Sequence, residues 1–547
     1  MPDSSTVLLL EAGGDEPIPS AVPGFYRSYW NNPEVDWMYR TQPQDDVCLD
    51  QGAEGCMWPR GKVLGGTSVL NGMMYHRGHK ADYDDWVRLY NATGWSWDEV
   101  REYFDRTESN KQVGTLVKKE NHGTYGPMPI QHFKYQPQLG YDILEAAREA
   151  GFPVVSDMND PNTAEGFTVA QAFNNNGSRY STSRAYLRPA SRRANLDVTL
   201  HAQVTKLLFN GDQVVGVVFV RNGQKHIVQA TKEVCECIFY YNLNDKVILS
   251  AGALNTPQIL LLSGIGPKET LLKHNIPIVA DLPQVGRNLR NHLGVNFYFL
   301  LENDRNTRTL DWSAATDYLL NREGVMTSTG ITQVTGLLYS RFGDRLRQQP
   351  DLQFFFNGPY PECSRTGTVA EPISAYQPDA PRSISFSGIA LLPRSVGYLT
   401  LRSSDPLEPP LFYPNYFDHP DDMQMLKDSA QHIRNIVETN VFRNKWGIRS
   451  DPAYTSRCLR AGPEWSDEYV ACMARQYTDP QNHQCGTAAL GLVVDPRLRV
   501  YNVKGVRVMD ASVMPFAPTG NPQAAIMMVA EKGVAMLKED WASFIRN

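Results

Sequence analysis

GKVLGGTSVLN, residues 61–71, is the stretch of this 547-residue chain that decides the fold. Its paired glycines, Gly65 and Gly66, are followed by the hydroxyl groups of Thr67 and Ser68. Such a segment lets the backbone approach a large ligand and donate amide hydrogens to it. The same letters also fit a simple helix start capped by Thr67 or Ser68. Glycine content alone does not separate the two interpretations.

Three short apolar runs lie around this stretch and end in small or acidic residues. They are residues 6–10, followed by Glu11, residues 247–250, and residues 506–509, followed by Asp510. Runs of this kind are typical of buried parallel strands. Ligands of open α/β sheets bind beyond the carboxyl ends of such strands. The sequence therefore predicts a ligand crevice where the three runs end.

A second glycine-bearing stretch, GALNTPQILLLSGIG, covers residues 252–266. It directly follows the apolar run 247–250 and combines small residues, a proline and a leucine-rich segment. This order predicts a strand end, a turn and a helix that begins near Pro257, since proline is favoured in the first turn of a helix.

The remaining segments have patterns of their own. Residues 198–209 and 213–220 alternate around Asn210-Gly211-Asp212, which predicts a β-hairpin. Residues 296–447 are rich in Tyr, Phe and Pro-containing turns, which predicts an antiparallel sheet packed with helices. Residues 524–540 have helical periodicity. The strand candidates within the aromatic-rich region are residues 352–356, 384–392 and 397–401.

Composition and charge exclude some classes of protein. Lys plus Arg is 53 and Asp plus Glu is 59, which gives a formal charge of −6 and argues against a nucleic-acid partner. The apolar runs are too short for a membrane span. The first residues, MPDSSTVLLLEAGG, lack the pattern of a signal peptide as written.

The number of cysteines, eight in a chain of this length, decides little by itself. Cys48 and Cys56 flank one short polar loop and Cys458 and Cys472 flank another, so either pair is a candidate disulfide. The chain has no CxxC pair, so we expect no structural metal. The triplets that begin at Asn91 and Asn176 are glycosylation acceptors if the protein is secreted.

Residues 61–84 and 252–266 resemble, in order and spacing, the two signatures of the glucose-methanol-choline (GMC) oxidoreductase family. The resemblance covers most of the chain and includes Trp58-Pro59-Arg60, His122-Gly123-Thr124 and Gly177-Ser178-Arg179. The closing stretch, from Val494 to Lys532, especially resembles the insect branch of that family.

The resemblance implies a fold, a cofactor and a reaction. The fold is α/β plus α+β, with a Rossmann-type FAD-binding domain and a substrate domain built on an antiparallel sheet. The implied regions are 1–295, mostly FAD-binding, 296–477, substrate-binding, and 478–547, which returns to the FAD-binding domain. The implied reaction passes hydride from the CH–OH group of a small alcohol or sugar to FAD, with an unknown electron acceptor.

The same resemblance assigns the active-site residues. His483, in Asn482-His483-Gln484, matches the general base, a role that suits histidine near neutral pH. A lone histidine is otherwise a surface or cap residue. The family commonly places His or Asn beside this base, and the aligned position here is Gln523, whose amide hydrogen-bonds a hydroxyl but takes no proton.

Further positions match contacts to the cofactor. Glu11 matches the acid that holds the adenosine ribose, and its place at a strand end suits that role, although a solvated loop acid is the alternative. Asp510 equally fits a helix cap. The matched cofactor positions are Glu11, Val63, Gly65, Gly66, Ser68, Asn71, Gly72, Val204, Asp510, Ala511, Asn521 and Pro522.

Two departures from the family pattern stand out. No GxGxxG occurs in the chain, although the family binds the pyrophosphate of FAD on the helix that follows this motif. The resemblance then implies a truncated product or an incomplete gene model. Either would lack a middle strand and leave unpaired backbone and uncovered apolar surface beside it. Residues 235–246 look inserted and predict a surface excursion. Cys235 and Cys237 within them have no partner cluster for a metal.

These departures keep other functions open. A folded relative that has lost FAD and activity is the main alternative, and a hydroxynitrile-lyase-like activity is a more distant one. A nicotinamide dehydrogenase is disfavoured because the dinucleotide fingerprint is missing. Resemblance favours secretion, but localisation stays open because the chain carries no export signal as written.

Overall fold

The computed structural model describes residues 6–230, 247–305, 312–358 and 380–546. The predicted excursion at residues 235–246 lies outside these ranges. Across the described ranges, no helix has both the length and the apolar character needed to cross a membrane.

Two pairs of parallel strands contain the three predicted apolar runs. Val7–Leu10 pairs with Leu196–Thr199, and Val247–Leu249 pairs with Val506–Val508. The two pairs are not hydrogen-bonded to each other within the described residues. Leu8 and Ile248, one from each pair, are 41% and 36% exposed and line the same cavity.

The predicted hairpin exists but begins later than expected. Its strands are Gln203–Asn210 and Gln213–Arg221, and a third antiparallel strand, Gln224–Gln229, follows. The expected start at Val198 was wrong, because Val198 pairs with Leu9 in the parallel sheet. His201, with a φ of 55°, turns the chain between the two sheets.

The predicted antiparallel sheet is confirmed and is the largest in the described chain. Its strand order is Ile448–Ser450, Leu293–Arg305, Pro381–Ala390, Leu352–Asn357, Val334–Leu338 and Gly166–Val169, with Thr478–Pro480 also on the second strand. Phe354 and Phe386 pack with Ile433 and Met473 in the core between this sheet and its helices.

One expected member of that sheet lies elsewhere. Tyr398–Thr400 pairs only with Leu411–Tyr413, in a separate two-stranded sheet. The reason is Gly397, whose backbone exchanges hydrogen bonds with Leu289 and holds the segment away from the larger sheet.

The second glycine-bearing stretch forms a helix that begins five residues before the predicted start. The helix is Gly252–Leu262, so Pro257 lies inside it. Proline has no N–H and leaves the carbonyl group of Ala253 without its helical donor. The hydroxyl group of Thr487 donates to that carbonyl oxygen at 2.5 Å and compensates.

Other elements complete the architecture. The C-terminal helix, predicted over residues 524–540, is Gln523–Arg546. The other helices include Lys80–Tyr90, Trp97–Thr107, Gln138–Glu149, Lys268–Lys273, Trp312–Thr316, Pro420–Val437 and Asp467–Gln476. The short strands are Tyr39–Arg40, Met57–Trp58, Glu108–Asn110, Met128–Gln131, Ala172–Asn175, Ser178–Arg179, Ile265–Gly266 and Ala280–Asp281.

Both candidate disulfides are formed in the structure. Cys48 is bonded to Cys56, and Cys458 is bonded to Cys472. Cys485 is a buried free thiol, and burial raises its pKa to about 12.

Candidate active site

A cavity of about 1920 Å³ extends from the ends of the parallel strands to the antiparallel sheet. This volume exceeds the roughly 300–1,000 Å³ that is usual for a small-molecule pocket. The predicted residues that line it are Glu11, Gly65, Gly66, Ser68, Asn71, Gly72, Val204, His483, Asp510, Ala511, Asn521, Pro522 and Gln523. Val63 does not line it, and instead packs in a buried cluster with Val69 and Leu70.

The stretch 61–71 combines both interpretations of its glycines. The stretch forms the start of a short 3₁₀ helix, Gly66–Val69. The capping residue, directly before this helix, is Gly65, with a φ of 101°. Thr67 and Ser68, the predicted caps, lie inside the helix. The hydroxyl group of Ser68 donates back to the Gly65 carbonyl oxygen at 2.6 Å. Gly61 lies so close to this turn that a Cβ there would be 2.4 Å from the Gly66 carbonyl carbon.

Glu11 presents a carboxyl group to the cavity at the end of strand Val7–Leu10. Its Oε1 accepts the Gly13 N–H at 2.8 Å. Burial raises the pKa of Glu11 to about 7, although the backbone N–H groups of Gly13 and Ala12 act in the opposite direction. A carboxyl group at this place can accept hydrogen bonds from ligand hydroxyl groups, most strongly in its ionised form.

Asp510 ties a strand end to a helix start. Its carboxylate accepts the Gly252 N–H at 2.9 Å, the Thr256 hydroxyl at 2.6 Å and the Ser512 N–H at 2.8 Å. Burial still raises the pKa of Asp510. Asp510 therefore caps the turn that follows its strand, as one of the two interpretations predicted, and it also lines the cavity.

His483 is held by contacts on both ring nitrogens and on its backbone. Its Nδ1 lies 2.9 Å from Nδ1 of His292, and its Nε2 lies 3.5 Å from Nδ2 of Asn521. Its backbone N–H donates to Oδ1 of Asn291 at 2.8 Å. Burial, followed by the neighbouring His292, Arg60 and His76, holds the pKa of His483 well below its usual value of 6.5. The imidazole is therefore neutral near pH 7.

Asn521, two positions before Gln523, contacts the His483 ring, and Gln523 lines the same cavity. Oε1 of Gln523 accepts the Nδ2 hydrogen of Asn71. Gln523 is the first residue of the C-terminal helix, whereas Asn521 precedes the helix and reaches His483 from the loop.

Sequence reasoning missed two site residues, His292 and Arg60. His292 is fully buried, and burial lowers its pKa to about 3. Arg60 is partly buried, lines the cavity and donates to the carbonyl oxygen of Asn482, and desolvation lowers its pKa to about 10. Arg60 directly precedes the glycine-bearing stretch, and this position was the signal in the sequence that could have identified it as a site residue. Nothing in the sequence marked His292, which lies 191 positions from His483.

Aromatic and polar groups line the antiparallel-sheet side of the cavity. The rings of Tyr298 and Tyr454 stack with centroids 3.8 Å apart, and Tyr477 meets Tyr298 edge-on at 5.3 Å. Asp479 is partly buried and lines the cavity beside them, and desolvation raises its pKa. Among the described side chains, no group of three or more His, Cys, Asp or Glu residues is arranged to hold a metal ion.

Comparison with known proteins gives consistent results at the family level. Two family models, both described as GMC oxidoreductase, match residues 44–294 and 393–530. The glucose dehydrogenase (FAD, quinone) of Drosophila melanogaster is 41% identical, over 98% of this chain and 83% of that protein. The mitochondrial choline dehydrogenase of Homo sapiens is 32% identical, over 97% of this chain and 85% of that protein.

A solved structure has the same fold. A variant of the formate oxidase of Aspergillus oryzae superimposes with a TM-score of 0.82. The match covers 98% of this chain and 94% of that chain, at 24% sequence identity. This fold includes the predicted FAD-binding architecture with an antiparallel sheet on the substrate side.

Proposed function

Because the chain belongs to the GMC oxidoreductase family, we propose that it is an FAD-dependent oxidoreductase acting on the CH–OH group of an alcohol or sugar. His483 is the general base in this proposal, and Asn521 is its partner. The observation that carries it is the contact between His483 and Asn521 at 3.5 Å, within a large cavity at the ends of parallel strands.

The residues present fit FAD. The cavity is large enough for a dinucleotide, and Glu11 offers a carboxylate to ribose hydroxyl groups at one strand end. The turn at Gly65 and Gly66 brings bare backbone to the cavity wall, which suits close approach of a flat ring system. Bound FAD would supply the acceptor for the hydride.

The protein's own residues supply the proton chemistry. A substrate oxygen that sits against both Nε2 of His483 and Nδ2 of Asn521 would donate its hydrogen to the histidine and accept one from the amide. The lowered pKa of His483 keeps Nε2 free to take the hydroxyl proton at neutral pH. The Asn521 N–H then stabilises the negative charge that develops on the oxygen.

The test begins with the absorbance spectrum of the purified protein. The visible bands of oxidised flavin support the proposal, and a panel of alcohols and sugars should then bleach those bands without oxygen. A monodisperse but colourless protein that takes up no added FAD would support the alternative, an FAD-free relative. The open space between the two parallel strand pairs is the observation that favours this alternative.

We also propose which regions of the chain bind FAD and substrate, which electron acceptor is used and where the protein is located. The FAD-binding regions are 1–295 and 478–547, and 296–477 binds substrate. The electron acceptor is a quinone, by similarity to the Drosophila protein. Secretion is favoured by the two disulfides, which persist in oxidising compartments. The acceptor residues Asn91 and Asn176 are exposed, as glycosylation in such a compartment requires.

A further inference from the structure

A chain of hydrogen bonds with a fixed direction leads from the antiparallel sheet to His483. It starts at Thr335, whose Oγ1 lies 2.9 Å from the carbonyl oxygen of Phe354. A carbonyl oxygen only accepts, so the single hydroxyl hydrogen of Thr335 is used there. Nε2 of Gln353 lies 3.2 Å from the same Oγ1. The amide nitrogen of Gln353 therefore faces Thr335, and its buried Oε1 has no hydrogen-bond partner among the described residues.

The second hydrogen on Nε2 of Gln353 determines the orientation of the Asn521 side-chain amide. Nε2 of Gln353 lies 3.2 Å from Oδ1 of Asn521. Both amides are otherwise free to rotate by half a turn, which exchanges nitrogen and oxygen. Because Gln353 offers a donor, Asn521 turns its oxygen toward Gln353 and its Nδ2 toward Nε2 of His483.

This orientation determines which ring nitrogen of His483 carries hydrogen. An N–H group that faces Nε2 favours a lone pair there, so the hydrogen of the neutral ring lies on Nδ1. Nδ1 of His483 can then donate to Nδ1 of His292 at 2.9 Å. The titratable groups that act on His483 are His292, Arg60 and His76, with no carboxylate among them. A triad carboxylate sets the tautomer by accepting a hydrogen from the other ring nitrogen. Here two neutral amides set it by presenting an N–H group to Nε2.

We propose that Gln353 is a positioning residue, which orients the Asn521 amide and thereby keeps Nε2 of His483 unprotonated and facing the cavity. Gln353 and Thr335 are fully buried in the sheet, on adjacent strands. The substrate-side sheet thus sets the tautomer of a base that belongs to a different part of the chain. The inference rests on the proposed role of His483.

The substitution Gln353→Glu reverses the direction of the chain. A carboxylate only accepts, so it attracts Nδ2 of Asn521 and turns Oδ1 toward His483, which favours hydrogen on Nε2. We expect kcat to fall at least tenfold at neutral pH, its acid limb to move to higher pH, and KM to change less. The isosteric Gln353→Met removes the donor and tests the same contact if the charged variant does not fold.

Gln333 provides a matched control. It is as buried as Gln353, and its Nε2 donates to the Tyr135 carbonyl oxygen at 3.2 Å. Gln333→Met should therefore leave the pH profile of kcat unchanged. Equal changes in Gln333→Met and Gln353→Met would contradict the positioning role.

A spectroscopic readout separates this inference from the proposed function. With ring-¹⁵N-labelled histidine, and the His483 signals assigned by comparison with His483→Gln, NMR reports which nitrogen carries hydrogen. The wild-type protein should carry it on Nδ1, and Gln353→Glu should shift it toward Nε2. The same tautomer in both proteins overturns the inference. If no alcohol or sugar is oxidised, the proposed function fails, while the tautomer result still decides the role of Gln353.

Discussion

At the scale of single residues, the low basicity of His483 leads to a specific pH dependence. Burial, together with the neighbouring His292, Arg60 and His76, holds the pKa of His483 well below 6.5. The base form is then already present at pH 6.5, so kcat/KM should stay level from neutral pH down to below that value. Steady-state rates across the pH range test this. An acid limb with its midpoint at or above pH 6.5 would show that the buried environment does not act as described.

Some residues that line the cavity were predicted from the sequence and others were not, for reasons visible in their surroundings. Glu11 and His483 could be predicted because each lies in a recognisable local pattern. Asn521 and Gln523 are both amides two positions apart, and only the start of the C-terminal helix decides which one reaches His483. His292 could not be predicted, because a contact over 191 positions leaves no local signal.

At the scale of elements, a buried ionic cluster joins the loop after the first glycine stretch to the short strand Glu108–Asn110. His122 lies 2.7 Å from Glu108 and 2.9 Å from Asp157, and Arg77 pairs with Glu108. Burial lowers the pKa of His122, but the hydrogen bonds to Asp157 and Glu108 outweigh it and raise that pKa to about 9. Burial likewise opposes the effect of Arg77 on Glu108, whose pKa falls to about 2.

This cluster should make the free energy of unfolding depend on pH. The folded pKa of His122 lies above its unfolded value of 6.5, so its contribution is complete below pH 6.5 and is lost as pH rises through about 9. The contribution is on the order of 3 kcal/mol. His122→Asn should therefore be less stable than wild type at pH 6, with the difference shrinking toward pH 10. Denaturant unfolding at both pH values measures this, and a constant difference would refute it.

The disulfide Cys458–Cys472 should stabilise the element it closes. Its sequence separation of 14 residues restricts the unfolded chain by an amount worth about 3 kcal/mol. Replacing both cysteines by serine should lower the midpoint of guanidinium unfolding in non-reducing buffer. Equal midpoints for the double variant and the wild type would mean that the cross-link adds no stability.

A helix or strand could be predicted where its own residue pattern was strong, because that prediction does not depend on which strand it pairs with. The apolar runs near residues 7, 247 and 506 are strands, as their composition indicated. Which strands pair was less accessible. The segment at Tyr398–Thr400 is a strand as predicted, but its partner is Leu411–Tyr413, because a backbone contact at Gly397 decides its place.

At the scale of the whole molecule, the cavity is assembled from all three predicted regions. Glu11, Tyr298 and His483 line it from residues 1–295, 296–477 and 478–547 respectively. Family resemblance anticipated both the fold and this convergence. The two parallel strand pairs are separate sheets in the described chain, with open space between them. The missing GxGxxG motif indicated this space only indirectly, because the space depends on how distant segments pack.

The most direct test of the central claim is flavin reduction in the absence of oxygen, compared between wild type and His483→Ala. Both proteins should carry the same amount of flavin, and an oxidisable alcohol or sugar should reduce it roughly 10²–10⁴-fold more slowly in the variant, the range typical for loss of a general base. Equal reduction rates, or loss of flavin from the variant alone, would contradict the assignment of His483 as the base.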